Sequence, residues 1–240
     1  MYKYLIIILL AISSCTQQEQ GFSSQEIVDW EFSYKGELYE AIVPGNNFSD
    51  LLNHNLIPDP FYGTNEDSIQ WVSERAWVYQ SQFRVNKSLM AKNNQSLSFY
   101  GLDTYAKVYL NDSLILEADN MFIKWEVDVT DILKAENILL IQFDNVSTIE
   151  KQKETALGYN LPGGNRVFSR KAGFHYGWDW GAKITSSGVW RKVILNAWGD
   201  SKINNFNIIQ NQLTDSLAKL TVNLNIESSA NKTVDIKVYD

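Results

Sequence analysis

Between Arg170 and Gly181 the chain sets Phe174, His175, Tyr176, Trp178 and Trp180 around a single carboxylate, Asp179, with glycines at 173, 177 and 181. These residue types suit a sugar. Aromatic faces offer apolar area to the C–H face of a pyranose, and a carboxylate between two tryptophans accepts hydrogen bonds from a pair of hydroxyls. Glycines let backbone come close to a ligand. On composition alone, an aromatic loop plugging the edge of a β-sandwich accounts for the stretch equally well. His175 is read either as orienting Asp179 or touching sugar, or as a hydrogen-bonded packing residue, the commoner fate of a lone histidine among aromatics. Arg170, Lys171 and Asn120 are read as buttresses through charge-assisted hydrogen bonds, and Asn65 and Glu66 likewise. Trp71, Trp77, Trp125, Trp190 and Trp198 stand in or near strands, where core packing is their default role.

The elements that must position this loop are strands. Ala106, Val108 and Leu110 alternate with polar or aromatic neighbours, Asn111-Asp112-Ser113 turns, and Leu114 and Leu116 return, which predicts a hairpin over 105–117. Trp125, Val127 and Val129 share one face of a further strand. Thr130 to Lys134 is long enough for one capped helical turn. Strands are also expected over Asn137–Phe143 and, after the break at Gly188, over Val189–Ala197. Helical periodicity is nearly absent. The fold class is therefore all-β, an antiparallel sandwich. A second unit is expected from about Asn204, where Leu220, Val222, Leu224 and Ile226 alternate, a polar turn spans 227–232, and Val234, Ile236 and Val238 begin another strand. Two or three strands bury no sandwich core of their own, so the expectation is an incomplete second β-domain.

Composition bounds the partners. The 240 residues are 45% hydrophobic and 13% aromatic, enough for a real core, and carry a formal net charge of −7. Lys and Arg are scattered, in no run longer than two, so the electrostatic footprint for nucleic acid is missing. Cys15, His54 and His175 are the only cysteine and histidines, which allows neither a Cys/His zinc site nor an intrachain disulfide. No metal or other cofactor is expected. At the N-terminus, Lys3 precedes the apolar run Leu5–Ile12, shorter than the roughly 20 residues that cross a bilayer but suited to a signal peptide. Ile12-Ser13-Ser14-Cys15 resembles a bacterial lipoprotein box, with cleavage before Cys15 and acylation of its thiol. Residues 1–14 are thus expected to be a signal peptide, 15–24 a lipidated polar tether, 25–200 the sandwich and 201–240 the start of the second domain.

Longer motifs carry a family resemblance. Val43-Pro44-Gly45, Asp50-Leu51-Leu52, Leu56 through Gly63, Asn65-Glu66, Trp71, Trp77 and Tyr79 resemble the opening of the β-mannosidases of glycoside hydrolase family 2. Gly101 through Ala106, Val108 through Asn111, Ala118 through Phe122, Asp128 through Asp131, Arg170 through Gly181 and Ser187 through Arg191 follow in that family's order. The resemblance implies a jelly-roll domain of the galactose-binding type, an immunoglobulin-like sandwich beginning in the tail, and a (β/α)8 barrel C-terminal to this chain. That barrel would hold both catalytic glutamates, about 5 Å apart in a retaining enzyme, so no catalytic residue is expected here. Asp179 matches the family's sugar-contacting aspartate and is expected to reach the terminal mannose, with Trp178 as an apolar wall and Trp180 in support. The implied partners are a β-mannoside or mannose-containing oligosaccharide and, through the anchor, a bacterial envelope membrane. The chain departs from the family in carrying Asn46-Asn47-Phe48 where a histidine is expected near Phe48, and Ala182 where a proline is expected. Two alternatives stay open: a glycan-binding lipoprotein without catalysis, and a fragment of a related family 2 β-galactosidase or β-glucuronidase.

Overall fold

The computed structural model describes residues 21–229 and 231–237; the expected signal peptide and Cys15 lie outside the described residues. In chain order the strands are β1 (Ser23–Glu26), β2 (Trp30–Tyr34), β3 (Glu37–Ala41), β4 (Trp77–Arg84), β5 (Asn94–Phe99), β6 (Ala106–Leu110), β7 (Ser113–Ala118), β8 (Trp125–Asp128), β9 (Glu136–Phe143), β10 (Val193–Trp198), β11 (Ser201–Leu213) and β12 (Ala218–Ser228). Helices are α1 (Asn47–Asn53), α2 (Asn65–Ser68), α3 (Lys87–Met90) and α4 (Val146–Leu157). The strands form an antiparallel sheet of order β1-β10-β5-β8, a second of order β3-β2-β4-β9-β6-β7, and the separate ribbon β11-β12.

Period-two patterning builds the core. Trp77, Tyr79 and Phe83 of β4 and Leu139, Ile141 and Phe143 of β9 point inward, while their neighbours are at least partly solvated. The register Tyr79↔Ile141↔Val108 carries the apolar face across three strands. Leu97 and Phe99 of β5 and Val193 and Leu195 of β10 complete the same hydrophobic cluster from the other sheet. Fully burying a side chain of this size is favourable by roughly 1.5–3 kcal/mol, so these positions dominate the stability of the sandwich. The hairpin over 105–117 forms as expected as β6-β7, with Asn111 and Asp112 at φ 49° and 68°, the left-handed pair that matches strand twist.

Several expectations are corrected. Ser23 and Ser24 belong to β1, paired with Ala197 and Asn196, so the sheet begins inside the stretch read as tether. The strand expected from Val189 is regular only from Val193. Helix also forms where the sequence shows no helical periodicity: α4 has twelve residues. It carries no apolar stripe, only Val146 and Glu150 being buried, and local capping residues mark its ends. The Asn145 side chain accepts from Thr148 N at 3.1 Å, and Gly158 closes the helix at φ 79°. β11 starts at Ser201 and runs thirteen residues; it opens at the first residue of the 201–240 stretch, a little ahead of Asn204, where the second unit was read to begin. Residues 231–237 adopt no regular secondary structure, so the strand expected at Val234 and Ile236 does not form there. The expected turn near 130–134 is present, with Ile132 N and Leu133 N both donating to Val129 O.

Candidate functional site

The Arg170–Gly181 segment lies between two fixed points. On the way in, Arg170 bridges Asn120, Met121 N donates to Arg170 O at 3.1 Å, and Ala172 N donates to Met121 Sδ at 3.0 Å. A 3-10 turn over Gly173–Tyr176 follows, and Gly177, at φ 82°, redirects the chain in a conformation that side chains disfavour. Trp178 N and Gly181 O, and Gly181 N and Trp178 O, then pair at 3.0 and 3.1 Å, closing a tight turn whose two central residues are Asp179 and Trp180. On the way out, Lys183 N donates to Glu66 Oε1 at 2.7 Å and Gln70 Nε2 donates to Lys183 O at 2.9 Å.

This turn projects into solvent. Trp180 is 86% exposed, Phe174 75% and Trp178 62%, with the two indoles edge to face at 6.2 Å. Asp179 is exposed, and among the described residues it makes no hydrogen bond or ion pair, so its acceptors are free. Three large rings beside a carboxylate with vacant lone pairs form a surface suited to a polyhydroxylated ligand. A cleft of about 670 Å³ opens beside the turn, with Asn145, Thr148 and Lys151 on one side, Arg166 on another, and Tyr176 and Lys183 on the wall shared with the loop.

Beneath the turn the polar groups are buried and paired. Lys171 Nζ donates to both Asp103 carboxylate oxygens at 2.5 Å and to Ser186 O at 2.6 Å. Thr104 Oγ1 and Ser186 Oγ also donate to Asp103, at 2.5 and 3.2 Å. Burial pulls the Lys171 ammonium below its ordinary pKa, against the opposing pull of Asp103. His175 Nδ1 lies 3.1 Å from Ser186 Oγ and 3.2 Å from Ile184 O. Burial and then the Lys171 charge lower the His175 pKa, opposed by Asp103. On the neighbouring side, buried Glu150 of α4 accepts from Ser169 Oγ at 2.6 Å and from the Tyr176 hydroxyl. Burial and that carboxylate push the Tyr176 pKa up.

The residues expected from sequence thus divide. Asp179, Trp178 and Trp180 come together at the exposed tip. Lys171 and His175 lie below it, and the polar contacts of the His175 side chain are with Ser186, Ile184 and Asp103. Arg170 acts through its backbone, and Asn120 Oδ1 accepts from Phe122 N at 2.9 Å to shape its own turn. Asn65 Nδ2 donates to Asp59 O, and Glu66 anchors the return of the loop. Asn46 and Asn47, where a histidine was expected nearby, have local work to do. Asn46 caps α1 in a reciprocal box with Ser49, and Asn47 Oδ1 accepts from Ser187 N at 3.0 Å. Asp103 and Ser186 escaped assignment from sequence. The signal was available, since a lysine inside an aromatic segment is buried only with a counter-charge, but no spacing rule points from residue 171 back to residue 103.

Comparison with known proteins follows the same lines. Residues 30–191 match the model of the glycosyl hydrolase 2 galactose-binding domain-like family. The chain belongs to that family. It is 35% identical over 215 residues to "Beta-mannosidase B" of Thermothelomyces thermophilus, covering 85% of this chain and 24% of that protein. It is also 35% identical over 194 residues to "Beta-mannosidase B" of Aspergillus fumigatus, covering 78% and 23%. Among solved structures, the β-D-mannosidase of Dictyoglomus thermophilum superposes with a TM-score of 0.82 at 35% identity, over 86% of this chain and 26% of that one. The β-D-glucuronidase of the same organism gives 0.57 at 17% identity, over 86% and 33%, which shows the shared fold alone. The chain spans about a quarter of the length of the curated relatives it matches. These matches establish the expected all-β jelly-roll fold.

Proposed function

We propose that this chain is the N-terminal sugar-binding portion of an exo-acting β-mannosidase that removes terminal non-reducing β-D-mannose residues. The observation that carries the reading is the exposed Trp178-Asp179-Trp180 tip, a free carboxylate between two rings on a buried polar base. In this reading the Asp179 oxygens accept hydrogen bonds from hydroxyls of the terminal mannose, and Trp178 covers its apolar face. A (β/α)8 barrel C-terminal to residue 240 supplies the acid/base and the nucleophile, because one sugar-binding carboxylate cannot serve as both. The β11-β12 ribbon is the first hairpin of an immunoglobulin-like domain between the two. Acylated Cys15 holds the protein at a bacterial envelope membrane.

The test is hydrolysis by the whole gene product of aryl β-mannoside, β-galactoside and β-glucuronide, with the 240-residue chain in parallel. The expected result is selective mannoside hydrolysis by the whole protein and none by the chain alone. Preference for another glycoside, or a whole product that binds glycans without hydrolysing them, would overturn the reading.

A further inference from the structure

The Trp178–Gly181 turn is joined by only two backbone hydrogen bonds of its own, and its side chains stand in water. Its direction is therefore inherited from the segments below it. Those segments, 170–176 entering and 183–188 leaving, are not laced by a regular ladder. Side chains join them: Lys171 Nζ to Ser186 O, His175 Nδ1 to Ser186 Oγ and Ile184 O, and Thr185 Oγ1 to His175 O at 3.0 Å. Asp103 stands at the centre of this lacing. It takes both Lys171 and Ser186, and its own backbone exchanges hydrogen bonds with Gly188 at 3.0 and 3.1 Å. All of this is buried or nearly so, where an unpaired ion is costly and the geometry is correspondingly discrete.

We propose that Asp103, Lys171 and His175 are positioning residues of the Trp178–Gly181 turn, clamping its two legs and so fixing where the Asp179 carboxylate is presented. The inference rests on the sugar-binding reading of the turn and adds the machinery that aims it. Hydrogen-bond accounting assigns the protons. Ser186 gives its hydroxyl proton to Asp103, so His175 Nδ1 carries a hydrogen shared by Ile184 O and Ser186 Oγ, and Nε2 faces Asp103 Oδ2 at 3.9 Å without one. The charged groups facing the imidazole are Asp103, from the segment before β6, and Lys171, from its own entering leg. Glu150 of α4 acts electrostatically on Lys171. The contacts from the returning leg, Ile184 O and Ser186 Oγ, are uncharged, and the Phe174 ring stacks on the imidazole at 4.6 Å. A proton added at Nε2 introduces a second cation competing for Asp103, loosens the Lys171 clamp and shifts the turn.

The experiment follows the indole N–H signals of the ¹⁵N-tryptophan-labelled chain by NMR from pH 8 to 5, assigning the turn through Trp178→Phe and Trp180→Phe. Trp178 and Trp180 are expected to move together with a midpoint below about 6.5, the ordinary histidine value, while buried Trp30 and Trp77 stay still. His175→Gln should abolish that movement, and Ser186→Ala should displace the two turn signals at neutral pH with Trp30 unchanged. In the whole enzyme, His175→Gln should flatten the acid limb of kcat/KM. Turn signals that do not titrate in the parent, or that titrate unchanged in His175→Gln, would overturn the inference. A whole protein without mannosidase activity would instead overturn the functional proposal, and the indole signals alone would then decide whether the clamp exists.

Discussion

Asp179→Ala is the sharpest perturbation this molecule offers, because fold and function separate there. The carboxylate is exposed and makes no hydrogen bond or ion pair among the described residues, so the substitution breaks no internal contact. Surface changes of that kind stay within about 0.5 kcal/mol of stability. On the proposed reading, in which Asp179 holds the terminal mannose, the loss in substrate binding is larger. A hydrogen bond involving a charged group is worth about 1.5–3 kcal/mol, and one carboxylate can accept two from neighbouring hydroxyls. Taking the lower value for an exposed site gives about 3 kcal/mol, or on the order of 10²-fold in kcat/KM, at roughly 1.4 kcal/mol per tenfold. The assay is kcat/KM on an aryl β-mannoside with the whole enzyme, with Tm measured on the same preparations. The reasoning requires a steep fall in kcat/KM at an unchanged Tm. A stable variant with near-native kcat/KM refutes Asp179 as a sugar ligand, and parallel loss of Tm and activity, restored by cooling, makes it a structural residue instead.

Three further outcomes are expected. Gly188→Ala should destabilise the chain by about 1–3 kcal/mol in urea melts, because a Cβ there would stand 2.8 Å from Asn46 Cα and 2.9 Å from Gly45 O, both backbone atoms; an unchanged midpoint would show that the 45–46 segment yields freely. Burial raises the Glu126 pKa, but hydrogen bonds from Lys124, Lys202 and Ser96 outweigh it and bring the carboxyl to about 2. Its stabilisation is thus complete above the unfolded value near 4.5 and lost as pH falls from there toward 2, so Glu126→Gln should flatten the stability profile in that window, and an identical acid limb would contradict the sign. Cys15→Ser should move the protein from the membrane to the soluble fraction of a bacterial host; an unchanged distribution removes the lipoprotein proposal.

What sequence reveals here depends on the range of the interaction. The β6-β7 hairpin is legible because alternation and the Asn111-Asp112 turn lie within thirteen residues, and the ring-and-carboxylate tip is legible because it is continuous. Helix α4 is not, since its identity rests on Asn145 and Gly158 at the ends rather than on an apolar stripe. β11 escapes as well. Its apolar residues, Ile203, Phe206, Ile208, Ile209 and Leu213, follow no strict alternation, and the register shifts at Ile203/Asn205 and Gln210/Gln212 break the period. The clamp beneath the tip is illegible because its members are separated by up to 83 residues, as in the pair Ser186 and Asp103.

The pairing of β1 with β10 sets the timing of the fold. Ser23 meets Ala197 and Glu26 meets Ile194, so the four-stranded sheet is sealed by the earliest described strand and one of the last in the sandwich. On the ribosome, β1 has no partner until residues 193–198 have been made and released. At about 5–20 residues per second, the intervening stretch takes on the order of ten seconds or more to synthesise. During that interval β5 and β8 can hydrogen-bond only with each other, and the edge of β5 that will receive β10 stays open. Joining ends so far apart also places a large loop-closure cost before the reward of burial, which puts this sandwich among slow folders of high contact order. A chaperone that shields nascent β5 and β8 therefore has a defined interval in which to act, from the emergence of Trp125–Asp128 to that of Trp198.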